Sequence, residues 1–256
     1  MTNARKIRLE PLSKLQEEKA RLASPDCAWC SPNGILTNFE QLQRILLSGP
    51  PHWGSTKLDS KSKFGIPCLS RVELDSAPTI SVPFDKLTTC PKPDTAIVDF
   101  YVDDRKLLSL LRNPERFVSR LEGHWGVISP DYSVWLGRSA SFGALATWCN
   151  RSIGLVFESR GLRVIPQIRW TQKEDYDHCF DGVPLGSVVA ISNKGSWNDL
   201  ELRHAFLAGL PVLVERLKPR VIFLHGHDSE EIRRIIGPDV EVHAFRTHRQ
   251  NISLAS

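Results

Sequence analysis

The chain of 256 residues has no long hydrophobic run. No stretch approaches the roughly 20 apolar residues of a membrane-spanning helix, and residues 1–22 lack the apolar core of a secretion signal. Both glycine-rich phosphate motifs, G-x-x-x-x-G-K and G-x-G-x-x-G, are missing after every apolar run, which argues against a P-loop enzyme or an ordinary dinucleotide-binding domain. We therefore expect a soluble, cytoplasmic protein that does not act at a membrane.

The charge excess is small. The chain has 33 Lys and Arg against 29 Asp and Glu, a net charge of +4, which favours an ordinary solvated surface over a nucleic-acid footprint. An apolar content of 41% is enough for one main domain with an appendage. Without a secretion signal, the six cysteines are expected to be reduced thiols or metal ligands and not disulfides.

Residues 1–93 are predicted to form an N-terminal helical and loop extension. Thr37 and Glu40 make a capping box that opens a helix, and the Gly49-Pro50-Pro51 segment ends it. Residues 50–63 have the composition of a surface loop. Two short strands, at 66–74 and 79–82, are expected before the main domain begins.

Residues 94–256 are predicted to form a parallel α/β core domain. Short apolar runs alternate there with helical patterns, which is typical of strands joined by crossover helices. The predicted strands are 97–102, 126–129, 163–168, 187–192, 220–225 and 240–244. We expect a mostly parallel sheet of about six strands that is doubly wound; the alternative is a small βα barrel, if the two earlier strands join it.

The helices between these strands follow the 3.6-residue period of their apolar positions. One pattern runs from Leu107 to Leu121 and a second from Phe142 to Phe157, with Gly161 as its C-terminal cap. A third helix is expected from Asp199 to Leu217, kinked or split at Pro211, and a short fourth at 229–236.

Polar side chains follow each predicted strand, and parallel strands bring such ends to one edge, where open α/β sheets and barrels build their sites. The candidate catalytic residues at this edge are Asp103, Asp131 and Ser133. Candidate substrate-binding residues are Arg169, Trp170, Asp181, Ser192 and His225. The plainer alternative is that strand ends become polar because the chain there meets water.

The two acidic positions differ. Asp103 and Asp104 are equally explained as the N-cap of the following helix, where a carboxylate satisfies free N–H groups. Asp131 follows Pro130 in a loop of fixed shape, so it is the stronger candidate for a base or a metal ligand. Cys179, beside His178, is interpreted as a buried packing residue and not as a nucleophile.

Cys27-Ala28-Trp29-Cys30 has the two-residue spacing of a zinc knuckle, and Cys68 and Cys90 are the candidates for the remaining ligands. A structural zinc is therefore one hypothesis, and reduced thiols are the other. A redox role is disfavoured because no strand precedes the motif.

Lysine and arginine side chains supply the candidate nucleic-acid contacts, which are Lys57, Lys61, Lys63 and Arg71. No recognition helix or RNA-binding strand motif accompanies them.

Several segments resemble one family in the same order. They are residues 100–104 (FYVDD), 126–133 (GVISPDYS), 164–166 with Trp170, 179–184 (CFDGVP) and 186–190 (GSVVA). Over roughly residues 97–225 the chain resembles domain of unknown function family 4417. The resemblance implies a phage or mobile-element protein and marks Asp103, Asp131, Ser133, Trp170 and Asp181 as motif positions, but it implies no activity.

Three functions follow as hypotheses. The first is a mobile-element protein that acts on or with nucleic acid in replication, processing or defence. The second is a hydrolase or transferase with a carboxylate-containing site at the carboxyl edge of the sheet. The third is a binding or decoy protein without turnover. The sequence does not choose an oligomeric state.

Overall fold

Eight short strands and five α-helices make up the described part of a computed structural model, which covers residues 62–90 and 93–245. The strands are β1 Ile80–Pro83, β2 Ala96–Asp99, β3 Gly126–Ile128, β4 Val164–Ile165, β5 Gln167–Ile168, β6 Val189–Ser192, β7 Val221–His225 and β8 Glu241–Phe245. The helices are α1 Asp104–Arg112, α2 Val118–Leu121, α3 Ala140–Ser159, α4 Leu200–Leu217 and α5 Glu230–Ile236.

The strands form two four-stranded parallel sheets, ordered β1-β2-β3-β4 and β5-β6-β7-β8. All six strands predicted in the core are present, and the short strand predicted at 79–82 is β1, which pairs with β2. The strand expected at 66–74 is wrong, because that segment forms none; its Val72 and Leu74 pack against the strands instead.

Pro166 separates β4 from β5, so one extended segment belongs to both sheets. β4 pairs with β3, whereas β5 pairs with β6. Side chains keep alternating across the proline: Ile165 faces the interior cluster of strand residues, while Val164 and Ile168 face the helices. The Ser129 hydroxyl accepts a hydrogen bond from the main-chain N–H of Gln167 at 2.9 Å, at the point where the segment passes from one sheet to the other.

Helices cover one face of the strands. α1 and α3 pack with β2, β3 and β4 in one apolar cluster, and α4 and α5 pack with β5, β6 and β7 in another. Asp199 caps α4, which continues unbroken through Pro211, so the predicted split does not occur. None of the helices in the described ranges is long and apolar enough to cross a bilayer.

The other face of the strands packs on itself. A third cluster joins side chains from β2, β3, β4, β6, β7 and β8, namely Ile97, Ile128, Ile165, Ala190, Phe223 and Phe245. The Tyr101 and His225 rings, at the ends of β2 and β7, have centroids 4.6 Å apart. Four strand spacings in a flat sheet would separate them by roughly 19 Å. The strands therefore curl round a shared interior.

This arrangement corrects the expected sheet. A doubly wound sheet reverses its strand order and carries helices on both faces. Here the order follows the chain and the inner face is made of strands, so the expected single six-stranded sheet is replaced by two four-stranded ones. Sequential parallel strands with helices outside favour the βα-barrel alternative.

Arg151, in the middle of α3, has no exposed surface. Its guanidinium donates to three main-chain carbonyls: Gln167 at 2.6 Å, Asp181 at 3.1 Å and Cys179 at 3.2 Å. Burial lowers the pKa of Arg151 to about 10, which leaves it charged at neutral pH. The side chain therefore fastens α3 to β5 and to the turn that follows residue 178.

We expect Arg151→Lys to destabilise the protein by about 2–3 kcal/mol, because an ammonium cannot reproduce the planar fork and leaves buried carbonyls unsatisfied. Urea denaturation measures the loss. Arg160→Lys is the matched control, since Arg160 is exposed and pairs with Glu115 at the surface; it should change stability by less than about 0.5 kcal/mol. Equal losses for both variants would contradict the role given to Arg151.

Candidate functional site

A cavity of about 280 Å³ opens at the carboxyl ends of the strands. Its lining includes Tyr101, Asp131, Ser133, Arg169, Ser192 and Lys194. These residues lie at or just after the ends of β2, β3, β5 and β6, so the strand directions bring together side chains that are far apart in sequence. Of the candidate residues named from the sequence, Asp103, Asp131, Ser133, Arg169 and Ser192 line this cavity.

Asp131 is the best-anchored acid of this cavity and is 6% exposed. One carboxylate oxygen accepts a hydrogen bond from the side-chain amide of Gln167 and the other accepts one from the Arg169 guanidinium, both at 2.7 Å. Burial raises the pKa of Asp131, and the Arg169 charge opposes that rise. Asp131 caps no helix, so its place at the cavity is not explained by helix formation.

Asp103 and Asp104 have different roles. Asp103 is the N-cap of α1 and pairs with Arg105, whose hydrogen bond lowers the pKa of Asp103. Asp104 turns inward, is 4% exposed, and accepts from both the amide and the hydroxyl of Ser133. Burial raises the pKa of Asp104 to about 6. The carboxylate that meets Ser133 is therefore Asp104.

A second polar group lies under the cavity. Asp99, at the end of β2, accepts from the Ser81 hydroxyl at 2.6 Å and lies 3.7 Å from Nε2 of His225. Burial lowers the pKa of His225, so the neutral imidazole is favoured, although the Asp99 charge opposes this. His225 is thus buried beneath the lining of the cavity, against the Tyr101 ring.

Lys194 brings a cation to the cavity. Its ammonium donates to the Tyr101 carbonyl at 2.7 Å, which fixes it beside the end of β2. Together with Arg169 it places two positive groups around Asp131 and Ser133. Cations near a hydroxyl that is bonded to a buried carboxylate suit an anionic group of a ligand and stabilise charge that develops on it.

Across residues 62–90 and 93–245, no group of three or more His, Cys, Asp or Glu side chains is arranged to hold a metal ion.

The sequence of the core matches the model of a protein family. A family model described as Domain of unknown function matches residues 58–245. The chain belongs to the DUF4417 family. The DUF4417 match extends the resemblance that the motifs indicated, which began near residue 97.

Phage proteins are among the relatives of this DUF4417 chain. It is 31% identical over 127 residues to Gene 1 protein of Mycobacterium phage D29 and, over the same length, to Gene 1 protein of Mycobacterium phage L5. The match covers 50% of this chain but only 47% and 56% of those two proteins, so it spans about half of each. No solved structure matches.

Two predicted binding residues lie elsewhere in the DUF4417 core. Trp170 faces α4, stacks on Phe206 and donates to the Ala205 carbonyl at 2.9 Å. A Cβ on Gly209 would lie 2.1 Å from the Trp170 indole nitrogen, so this helix packs directly on the ring. Asp181 lies beside Arg151, which binds its main-chain oxygen. Packing against α4 therefore accounts for Trp170, and the Asp181 main chain helps to hold Arg151.

Of the predicted nucleic-acid residues, the two that the structure describes, Lys63 and Arg71, do not line the cavity. Arg71 pairs with Glu73 and approaches Gly186, before the start of β6, at the opposite end of the strands from Asp131. Lys63 is exposed, and Lys57 and Lys61 lie outside the described residues. Nucleic-acid binding by these residues stays a prediction.

The zinc hypothesis also stays a prediction, because Cys27 and Cys30 lie outside the described residues. Cys90 packs beside the cluster of α1 and α3, and the Cys68 thiol lies 3.5 Å from the Leu69 carbonyl.

Four residues that the candidate list did not include shape the site: Asp99, Asp104, Gln167 and Lys194. The sequence could have indicated Gln167, because residues two apart in a strand share a face. Gln167 lies between Ile165, which faces the interior, and Arg169. Asp99, the last residue of β2, could have been indicated by a different pattern, which is a carboxylate inside an apolar run.

The pKa of Asp104 leads to a stability prediction. Because its folded pKa is raised from 3.8 to about 6, the ionised group costs up to about 3 kcal/mol, and this cost disappears as the pH falls through 6 toward 4. Asp104→Asn should therefore be more stable than the native protein at pH 7.5, with a smaller advantage at pH 5. Urea denaturation at both values measures it.

Asp199→Asn is the control for this substitution, since Asp199 is an exposed helix cap for which asparagine is an equal replacement. It should leave stability nearly unchanged at both pH values. A lower stability of Asp104→Asn at pH 7.5 would show that the ionised carboxylate is a net stabilising group.

Proposed function

We propose that the chain is a hydrolase or transferase that acts on a molecule bearing an anionic group, with its active site in the cavity at the carboxyl edge. The observation that carries this proposal is the Ser133–Asp104 pair: a hydroxyl on the cavity wall bonded at 3.1 Å to a buried carboxylate whose pKa is about 6. A general base works best when its pKa lies near the working pH.

Each residue has a separate task in the proposed reaction. Ser133 Oγ attacks the electrophilic atom of the group that is transferred, and its proton passes to Asp104. The leaving group takes that proton back from Asp104 as its bond breaks. A water or a second acceptor then removes the group from Ser133 by the same path in reverse order, and the free hydroxyl is restored.

Arg169 and Lys194 hold the anionic group and stabilise the negative charge that grows in the transition state. Asp131 and Gln167 keep Arg169 in place. The Arg169 guanidinium donates to one Asp131 oxygen, and the Gln167 side chain holds the other oxygen of the same carboxylate. Asp131 is thus a positioning residue in this proposal.

The proposal is tested with chromogenic probes: p-nitrophenyl phosphate, bis(p-nitrophenyl) phosphate and p-nitrophenyl acetate. Ser133→Ala and Asp104→Asn should each lower kcat by about 100-fold or more. The native rate should rise with pH through about 6, because Asp104 must be ionised to accept the proton, and Asp104→Asn should lack this inflection.

Arg169→Met should instead raise KM for the phosphate probes by about 10-fold, because it removes a cation without removing the nucleophile. Asp199→Asn is the control and should leave the rates unchanged. If inorganic phosphate stabilises the protein to heat but no probe turns over, the site is that of a binding or decoy protein, and the enzymatic proposal is overturned.

We also propose, from the phage origin of the relatives alone, that the chain acts on or with nucleic acid; the printed name of those relatives states no activity. It predicts that DNA or RNA binds with an affinity that falls steeply as salt is raised. An electrophoretic shift at low salt that is lost by about 200 mM salt would agree with it. No shift of any nucleic acid at low salt would contradict it.

A further inference from the structure

The cavity continues into a larger groove with an aromatic wall. The groove has a volume of about 860 Å³ and shares Tyr101, Val102, Asp103, Lys194 and Gly195 with the smaller cavity. Its far side is lined by Trp197 and His227. Lys194 therefore lies between an anion-binding end and an aromatic end of one continuous depression.

His227 is held firmly although its side chain is exposed. The side chain of Asn193, itself fully buried, donates to the His227 carbonyl and accepts from the His227 amide, both at 2.7 Å. Between β7 and His227, Gly226 has φ of +125°, and a Cβ there would lie 2.2 Å from the Asn193 side-chain oxygen. The loop after β7 is thus built around this double hydrogen bond.

The imidazole of His227 lies flat against the Trp197 indole. The ring centroids are 4.2 Å apart and the planes are 29° from parallel. The Arg203 guanidinium lies 4.2 Å from the Trp197 ring centroid, and Arg203 also pairs with Glu231 on α5. An exposed imidazole backed by a braced indole is a rigid flat surface that costs little conformational entropy to present.

We propose that this groove binds a nucleotide, with the base stacked on His227 and the phosphate held by Lys194 and Arg169. The inference rests on the proposed function, because it gives the anionic substrate of that site its chemical class. The groove has a flat ring for stacking at one end and two cations at the other. These features are complementary to the base and the phosphate of a nucleoside phosphate, and the groove is large enough to hold one. The same chemistry is offered by a free nucleotide and by one unit of a single strand.

The test uses the full chain and isothermal titration calorimetry with four probes: UMP, AMP, ribose 5-phosphate and adenosine. We expect at least one of the two nucleotides to bind about 10-fold or more tightly than ribose 5-phosphate, since only they contact both ends. His227→Ala should remove about 10-fold of that advantage and leave the affinity for ribose 5-phosphate unchanged.

His204→Ala is the matched control, because His204 is exposed on α4 and lines neither cavity. Lys194→Met should weaken ribose 5-phosphate and nucleotides alike. This pattern separates the stacking end from the anion-binding end without any need for turnover.

The outcomes also separate the two proposals. If ribose 5-phosphate binds as tightly as the nucleotides, or if His227→Ala has no effect on nucleotides, the nucleotide inference is overturned while the anion site remains. If no phosphate probe binds, the proposed function fails as well. With eight-residue oligo(dT) and oligo(U), tighter and salt-dependent binding that His227→Ala weakens supports the inference and identifies a single strand as the source of the nucleotide.

Discussion

The buried guanidinium of Arg151 is the constraint on which the site depends. It binds the Gln167 carbonyl from outside the curled strands, while the Gln167 side chain points inward and holds Asp131. Asp131 in turn holds Arg169, two residues farther along the same segment. The buried Arg151 charge thus fixes a main-chain carbonyl and, through the Gln167 side chain and Asp131, reaches the Arg169 side of the cavity.

Most of the secondary structure was predictable, because the strands are short continuous apolar runs and the helices have clear caps and stripes. The order of the strands was not. Six runs fit an open sheet as well as a closed one, and the curl is visible only in contacts such as that between Tyr101 and His225. The alternation through Ile165, Gln167 and Arg169 indicates an inner face that becomes polar at one end, which is typical of a barrel.

The site was predictable in part for the same reason. Asp131, Ser133 and Arg169 follow strands, and parallel strands had to bring them together. Trp170 follows the same strand as Arg169 but faces the helices, as Ile168 does, so lying after a strand was not enough to mark a residue of the cavity. The Asn193–His227 clamp joins two loops 34 residues apart, and no local pattern carries such information.

Pro166 has a mechanical consequence. Asp131 follows a strand of the first sheet, whereas Arg169 follows a strand of the second, and the proline between β4 and β5 is where the segment passes from one sheet to the other. The Asp131–Arg169 ion pair therefore links the two sheets. Exchanging either side chain therefore removes a link between the two sheets as well as a charged group from the cavity.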